Sequence, residues 1–434
     1  MDDNELLEIM KDWNFWGNFT KQWIEREEYV GKIKNLLKGV NIVAISGIRR
    51  SGKSIIGLQV IKKVIEEDNV DPRDTLVIKL DDERLTEVNY NTLLRILSLY
   101  EINIKKGNNF YILIDEVQEV EGWERIVRGL AEKGNKVIVT GSSAKLLSSE
   151  YTTLLSGRHV EVRVFTLDLM ENLSFKGIKL RDRIDEIKHS LDIDKSIEEL
   201  MNLGGFPDVV LHKDIADELL TSYFESIILK DVISRYKIRD ESKLRVLAKF
   251  YITSSGSRVT YSNVSKFLKI PVKTVERYSE YLEKVFLIFF LKNFSFSVKG
   301  VEVSPRKVYV TDNGFMKIFS VRISRGRLFE TLLAQHLFKY SFNTRADLYY
   351  WHEKEEIDFI LQRGDIIQPI QVAYEIESEE TLYREIDPIK KFKDKVTDIQ
   401  NPILIVYRGE EKTIDQVKIL SVKKFLLHIE DYLI

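Results

Sequence analysis

The sequence predicts an α/β protein: a parallel sheet covered by helices, then a helical stretch, then a mixed segment that returns to strands. Three observations predict it. From residue 41 to about residue 165, short apolar runs alternate with helical spacing, the pattern of strands joined by crossover helices. A glycine-rich loop sits between one such run, at 40–45, and the helical pattern at 55–65. A second apolar run, at 110–114, ends in two adjacent acids, Asp115 and Glu116. At about 150 residues per domain, 434 residues leave room for roughly three domains.

Composition removes several chemistries. The 66 Lys and Arg nearly cancel the 68 Asp and Glu, so a net charge of −2 gives no whole-molecule attraction to nucleic acid or acidic membranes, and any such binding is local. With no cysteine, disulfides, thiolate zinc sites, iron–sulfur clusters and cysteine nucleophiles are excluded. The six histidines lack ligand spacing for zinc, and no Gly-x-Ser-x-Gly nucleophile turn occurs. The acidic start, Met1-Asp2-Asp3-Asn4-Glu5, is the opposite of a secretory signal and points to the cytoplasm. The most apolar run, at 285–291, is far shorter than the roughly 20 residues of a membrane span, so no membrane partner is expected.

The first chemical signal is Gly47-Ile48-Arg49-Arg50-Ser51-Gly52-Lys53-Ser54, with Ile55 opening the helix. It fits the Walker A pattern G-x-x-x-x-G-K-[ST] between a strand and a helix. Glycines let the backbone bend so that its N–H groups and the helix N-terminus surround phosphate oxygens. Residues 47–55 are therefore the expected nucleotide-binding stretch of a P-loop. Lys53 is placed to reach the β- and γ-phosphates of ATP, Ser54 to ligate Mg²⁺, and Arg49 and Arg50 to add positive charge.

The second half of such a site is an acid at the end of a buried strand. Asp115 would hold Mg²⁺ and Glu116 would polarise the attacking water, since hydrolysis needs charge neutralisation and an oriented nucleophile. A third apolar run, at 136–140, leads into Gly141-Ser142-Ser143, where the hydroxyls of Thr140, Ser142 and Ser143 either sense the γ-phosphate or simply shape the loop. Arg158, after Gly157, is a candidate transition-state arginine in the same or a neighbouring subunit.

Taken in order, the P-loop, Leu113-Ile114-Asp115-Glu116-Val117-Gln118, Trp123, Thr140-Gly141-Ser142-Ser143, Gly157-Arg158 and Gly204-Gly205-Phe206-Pro207 resemble archaeal and bacterial AAA+-like ATPases with a C-terminal domain of unknown function. The resemblance covers nearly the whole chain. It implies a P-loop NTPase core, a helical lid, a winged helix and a C-terminal α/β domain resembling the PD-(D/E)XK nuclease fold. After the arginine the family reads Pro-Leu-Ser-Phe, whereas this chain reads Phe165-Thr166-Leu167-Asp168.

Four segments follow: 1–165 as the ATPase domain with its N-terminal segment, 166–241 as the helical lid, 242–311 as the winged helix and 312–434 as the nuclease-like domain. The aromatics Trp13, Phe15, Trp16, Phe19 and Trp23 either pack on the first domain or cradle adenine, with packing the commoner use. The break at Gly204-Gly205-Phe206-Pro207 has the form of a hinge. The winged helix is expected to place helices at 244–252, 261–268 and 272–285, with wing strands at 286–292 and 307–311. In a DNA-binding use, Lys273, Thr274, Arg277 and Tyr278 on the third helix would enter the major groove, and Arg258, Lys266 and Lys269 would touch phosphates. The same module also serves as a protein-docking surface, and Glu276, Glu280 and Glu283 share that helix.

In the last third, Glu330, Asp358 and Gln371 resemble the acidic skeleton of PD-(D/E)XK nucleases. Gln371 stands where the second acid belongs and Ala373 where the lysine belongs, with no lysine nearby in sequence until Lys390 and Lys391. That favours a nuclease-like fold used for binding rather than cleavage. The sequence thus points to an Mg²⁺-dependent ATPase that couples nucleotide state to engagement of double-stranded DNA. The alternatives are an ATP-dependent, metal-requiring nuclease and a nucleotide-switched protein-binding module. Oligomeric state stays open.

Overall fold

The computed structural model describes all residues except Asn18, 143–158, Val321 and Thr397. It divides into two compact units, Met1–Val164 and Phe165–Ile434.

The first unit is a five-stranded parallel sheet: β1 (Ile42–Gly47), β2 (Thr75–Lys79), β3 (Tyr111–Asp115), β4 (Lys136–Thr140) and β5 (His159–Val164). Their order is β2-β3-β4-β1-β5. Helices α1 (Asp3–Trp13), α2 (Glu27–Gly39), α3 (Lys53–Asp68), α4 (Tyr90–Asn103) and α5 (Trp123–Glu132) accompany it. A parallel sheet with both faces covered needs unbroken apolar strands, which is why Ile42-Val43-Ala44-Ile45, Ile112-Leu113-Ile114 and Val137-Ile138-Val139 are all buried. Each fully buried Ile or Leu contributes about 1.5–3 kcal/mol. On α3, Gly57 faces β3, where a Cβ would stand 2.7 Å from Leu113 Cδ1. The missing side chain lets the helix that follows the glycine-rich loop approach the strand that ends in Asp115.

The aromatic-rich segment covers the outer edge of β2. Trp13 is buried and its indole N–H donates to Asp82 at 2.7 Å. Asn14 mimics a neighbouring strand: its amide donates to the Val77 carbonyl at 2.9 Å and accepts the Val77 N–H at 2.6 Å. Trp16 donates to the Thr75 carbonyl at 3.2 Å. Unpaired edge groups are thereby satisfied and screened from other chains.

The second unit opens with helices at Leu169–Phe175, Arg183–Lys188, Ser190–Leu203, Pro207–Leu211 and Ala216–Ser226, the last running on as a π-helical stretch, Ile227–Ser234. Helices at Glu241–Thr253, Tyr261–Leu268 and Val272–Lys284 follow, with β6 (Ser257–Val259), β7 (Ile288–Asn293) and β8 (Arg306–Val310). The long helix Arg325–Thr344 precedes β9 (Asp347–His352), β10 (Glu356–Arg363), β11 (Ile366–Ala373), β12 (Ile403–Val406), β13 (Lys412–Ile414) and β14 (Val417–Ser421). All nine strands lie in one sheet, β13-β14-β12-β11-β10-β9-β7-β8-β6. Strands from the segments 242–311 and 312–434 are thus joined by β7 and β9, which pair in parallel at Lys292↔Tyr349 and Asn293↔Tyr350. The short β6 has no counterpart in the sequence reading.

The Gly204-Gly205-Phe206-Pro207 break is clamped within its unit. Gly205 N–H and Gly314 N–H donate to the two carboxylate oxygens of Asp312 at 2.7 and 2.9 Å. Phe206 is buried edge-on against Tyr223 and Phe315, both at 5.3 Å. These contacts hold the break, read in the sequence as a hinge, in a corner between two helices. Burial pushes the Asp312 carboxyl up to about 6, with the two backbone donors opposing. Asp312→Ala leaves two buried N–H groups without an acceptor and is expected to cost the second unit about 2–4 kcal/mol, read as a lower denaturant midpoint. An unchanged midpoint would remove Asp312 from this role.

Candidate functional site

In a parallel sheet all carboxyl ends meet at one edge, and side chains placed there can converge. β1 enters its loop through Gly47 at φ 142°, where a Cβ would stand 2.2 Å from the Val164 carbonyl oxygen, so only glycine fits. The loop closes with Ser51 N–H donating to the Ile48 carbonyl at 3.2 Å. Gly52 opens α3 without a side-chain cap, which leaves the first N–H groups of the helix facing outward for an anion. Lys53 is buried, and its ammonium donates across the loop to the Ile48 carbonyl at 3.0 Å. Ile48 and Ser51 are buried, Arg49 and Ser54 half-buried, and Arg50 and Ile55 exposed. Among the described residues the buried Ser51 hydroxyl has no partner.

β4 lies between β1 and β3, so Thr140 at its end stands between the loop and the acids. Its hydroxyl donates to Asp115 Oδ1 and accepts the Glu116 N–H at 3.0 Å. Asp115 is buried. Burial and then Glu116 push its carboxyl up to about 6, while the hydroxyls of Thr140 and Ser54 oppose the shift. Glu116 adopts φ 55°, a left-handed conformation costly for a non-glycine residue, and its carboxylate accepts from Gln118 Nε2. Ser142 is buried just beyond β4. Arg158 and Ser143 lie outside the described residues.

Sequence reasoning missed Asp81, and it named Gln118 only within a motif, without its bond to Glu116. Leu80 N–H donates to the Asp115 carbonyl at 3.2 Å, which carries β2 past the end of β3 and brings Asp81 to the acids. Burial and then Glu116 hold the Asp81 carboxyl above its usual range, while Lys79 and Arg49 oppose. The readable signal was an acid just past the end of an apolar strand, the same signal that marked Asp115.

These residues fit Mg²⁺ as bound with a nucleotide. A hydroxyl and a carboxylate, already hydrogen-bonded to each other, are hard oxygen donors, and a cation would relieve the cost of the buried Asp115 charge. Among the described residues no group of three or more histidines or acids is arranged to hold a metal.

In the second unit, Glu330 and Asp358 converge on a lysine that the sequence reading did not find. Lys307, on β8, donates to Glu330 at 2.8 Å, Glu356 at 2.7 Å and Asp358 at 3.0 Å. Tyr309 donates to the same Glu330 oxygen at 2.6 Å. Burial opposes the Lys307 charge, but Tyr309 and the three carboxylates outweigh it and hold the ammonium above its ordinary range. No lysine lies near Gln371 in sequence, and the one that meets the acids comes from β8, a distant part of the chain. Gln371 turns its carbonyl oxygen to the Asp358 N–H at 3.2 Å and its amide to Glu385 at 3.1 Å. The other Asp358 oxygen accepts the Val372 N–H at 3.1 Å.

Lys273 and Arg277 are exposed and Thr274 is half-buried on the helix Val272–Lys284. Tyr278 corrects the expectation of an exposed side chain: with Val275, Ser279 and Leu282 it forms the buried stripe of that helix. Arg258 is engaged by Glu356 at 3.3 Å.

The model of an AAA domain matches residues 40–173, and models of two domains of unknown function match residues 194–322 (DUF8612) and 325–425 (DUF4143). An uncharacterized protein of Methanocaldococcus jannaschii is 32 % identical over 396 residues, covering 89 % of this chain and 86 % of that one. The chain belongs to this family of P-loop ATPases with C-terminal domains of unknown function. An uncharacterized protein of Haemophilus influenzae is 30 % identical, covering 94 % of this chain and 100 % of that one. Among solved structures, the Walker-type ATPase of Pyrococcus abyssi is similar over 68 % of this chain and 96 % of that chain, at 17 % identity and a TM-score of 0.44. Among the described residues no helix is long and apolar enough to cross a membrane.

The Lys307 cluster generates a stability prediction. Lys307→Met leaves Glu330 and Asp358 without their ammonium, Glu356 keeping Arg258, and is expected to destabilise the second unit by about 3–5 kcal/mol. Adding Asp358→Asn should recover part of that loss in denaturant titrations. Equal midpoints for wild type and Lys307→Met would show that the ammonium does not hold the cluster.

Proposed function

We propose that this chain is an Mg²⁺-dependent ATPase whose nucleotide state governs engagement of double-stranded DNA. The observation that carries the hydrolytic part is the joining of Ser54, Asp115, Thr140 and Glu116 at the sheet edge beside the P-loop. The loop N–H groups of residues 47–55 and the Lys53 ammonium bind the phosphates, Lys53 exchanging its bond to Ile48 for one to phosphate oxygen. Ser54 and Asp115 are the residues that would hold Mg²⁺, which when bound neutralises phosphate charge. Glu116 orients the attacking water and accepts its proton at a carboxylate oxygen, Gln118 steadies that carboxylate, and Thr140 senses the γ-phosphate with Ser142 beside it. Arg158 is assigned to the developing charge of the transition state.

The DNA part rests on residues 242–311 read as a winged helix. Lys273, Thr274 and Arg277 lie on the first two turns of its third helix, and Lys266, Lys269, Lys273 and Arg277 are exposed. Residues 312–434 are read as a PD-(D/E)XK-like domain used for binding, because Asp358 spends both oxygens on protein donors and Gln371 turns its carbonyl to the backbone. The Lys307 ammonium beside Glu330 and Asp358 is the specific observation that favours a second reading, a metal-requiring nuclease. Manganese-dependent DNA cleavage lost in Asp358→Ala would establish that second reading.

ATP hydrolysis at low salt, with and without duplex DNA, tests the proposal. Lys53→Ala is expected to abolish nucleotide binding, while Glu116→Gln should retain it and lose about 100-fold or more in turnover. Normal turnover in Glu116→Gln would sink the role given to that residue. Stimulation by DNA that falls on Lys273→Ala or Arg277→Ala supports coupling, and a rate indifferent to DNA at low salt transfers the output to a protein partner.

A further inference from the structure

The geometry points to Arg26 as a positioning residue for the phosphate loop, a role that rests on the ATPase reading above. Arg26 lies well upstream of the Walker A motif, is buried, and donates from Nη1 to the Ser51 carbonyl at 2.7 Å. The segment that delivers it is laid along α3. Gln59 donates to the Ile24 carbonyl at 2.8 Å and accepts the Arg26 N–H at 3.3 Å, and Lys63 pairs with Glu25 at 2.5 Å. The guanidinium also lies 4.6 Å from the centre of the buried Tyr29 ring.

The consequence for the loop follows from peptide geometry. No peptide bond in the described chain is cis, so the Ser51 carbonyl and the Gly52 N–H point in opposite directions from one rigid plane. Gly52, at φ 95°, has the wide backbone freedom of glycine, and the plane before it is free to turn unless something holds it. By gripping the Ser51 oxygen, Arg26 fixes the Gly52 N–H on the opposite side, at the open start of α3. A donor aimed before the nucleotide arrives need not be reorganised when phosphate binds. Arg26 adds to Lys53 a second buried positive charge beside the loop.

The test uses the full-length protein, with steady-state ATP hydrolysis and direct titration of a fluorescent ATP analogue. Losing a charge-assisted hydrogen bond that orients the cradle is expected to raise KM and Kd for ATP roughly tenfold or more in Arg26→Met. kcat is expected to stay within about twofold, since Arg26 does not touch the reacting atoms. Arg26→Lys keeps the charge and is expected to recover part of the affinity, and it decides the matter if Arg26→Met does not fold. Unchanged KM and Kd in folded Arg26→Met, or in Arg26→Lys where that variant alone folds, overturns the inference, as does a fall in kcat with KM unchanged. Wild-type protein without hydrolysis that Lys53→Ala abolishes overturns the ATPase reading and this role together. Wild-type hydrolysis with insensitive Arg26 variants overturns this role alone.

Discussion

Parallel pairing is the constraint on which the first unit depends. Strands that all run one way must be buried on both faces, and their carboxyl ends must gather along one edge. With β4 inserted between β1 and β3, the glycine-rich loop and the acids are one strand apart. Two hydroxyls close the gap: that of Thr140 donates to Asp115 and accepts from the Glu116 backbone, and that of Ser54, just after the loop, is hydrogen-bonded to Asp115. The apolar runs therefore do more than fill a core: they set the positions from which Lys53, Ser54, Asp115 and Glu116 meet.

The two units treat buried acids in opposite ways. Asp115 is bonded to neutral hydroxyls, with Glu116 and Asp81 nearby, so burial dominates and its carboxyl rises to about 6. Such a group gains from a cation brought in from outside. In the second unit, Lys307 already supplies an ammonium to Glu330, Glu356 and Asp358, and Arg258 takes the remaining oxygen of Glu356. A cluster that carries its own cations has less to gain from a metal. Yet Asp358 is pushed up to about 7, chiefly by burial and with Lys307 opposing, so the compensation is incomplete. That contrast gives the first unit the stronger case for metal-assisted chemistry.

Much of the first unit was legible because its signals are local. A glycine-rich loop between an apolar run and a helical pattern fixes backbone chemistry within eight residues, Gly47 to Ser54. The third helix of the expected winged helix was equally readable, since Pro271 stops the preceding segment and the Val275, Tyr278, Leu282 spacing sets its buried stripe. The same stripe takes Tyr278 out of the exposed set, because it falls on the buried spacing with Val275 and Leu282. Ser265 and Lys269 close the helix before it through a left-handed cap that composition does not announce.

Bond geometry and periodicity over a few residues suffice to specify the glycine-rich loop, the acid-tipped strand and the helical or strand character of most segments. Tertiary structure alone decided which distant groups share an environment. Arg26 reaches Ser51 only because Gln59 and Lys63 line its path along α3. Lys307 meets Asp358 only because β8 and β10 belong to one sheet, and Asp312 holds the break before Phe206 in a corner only by bonding Gly205 across the fold. Each of these contacts joins residues far apart in the chain, where no local pattern links one partner to the other. Burial is what gives them their weight, since a charge or an N–H removed from water must find its partner wherever the fold supplies one.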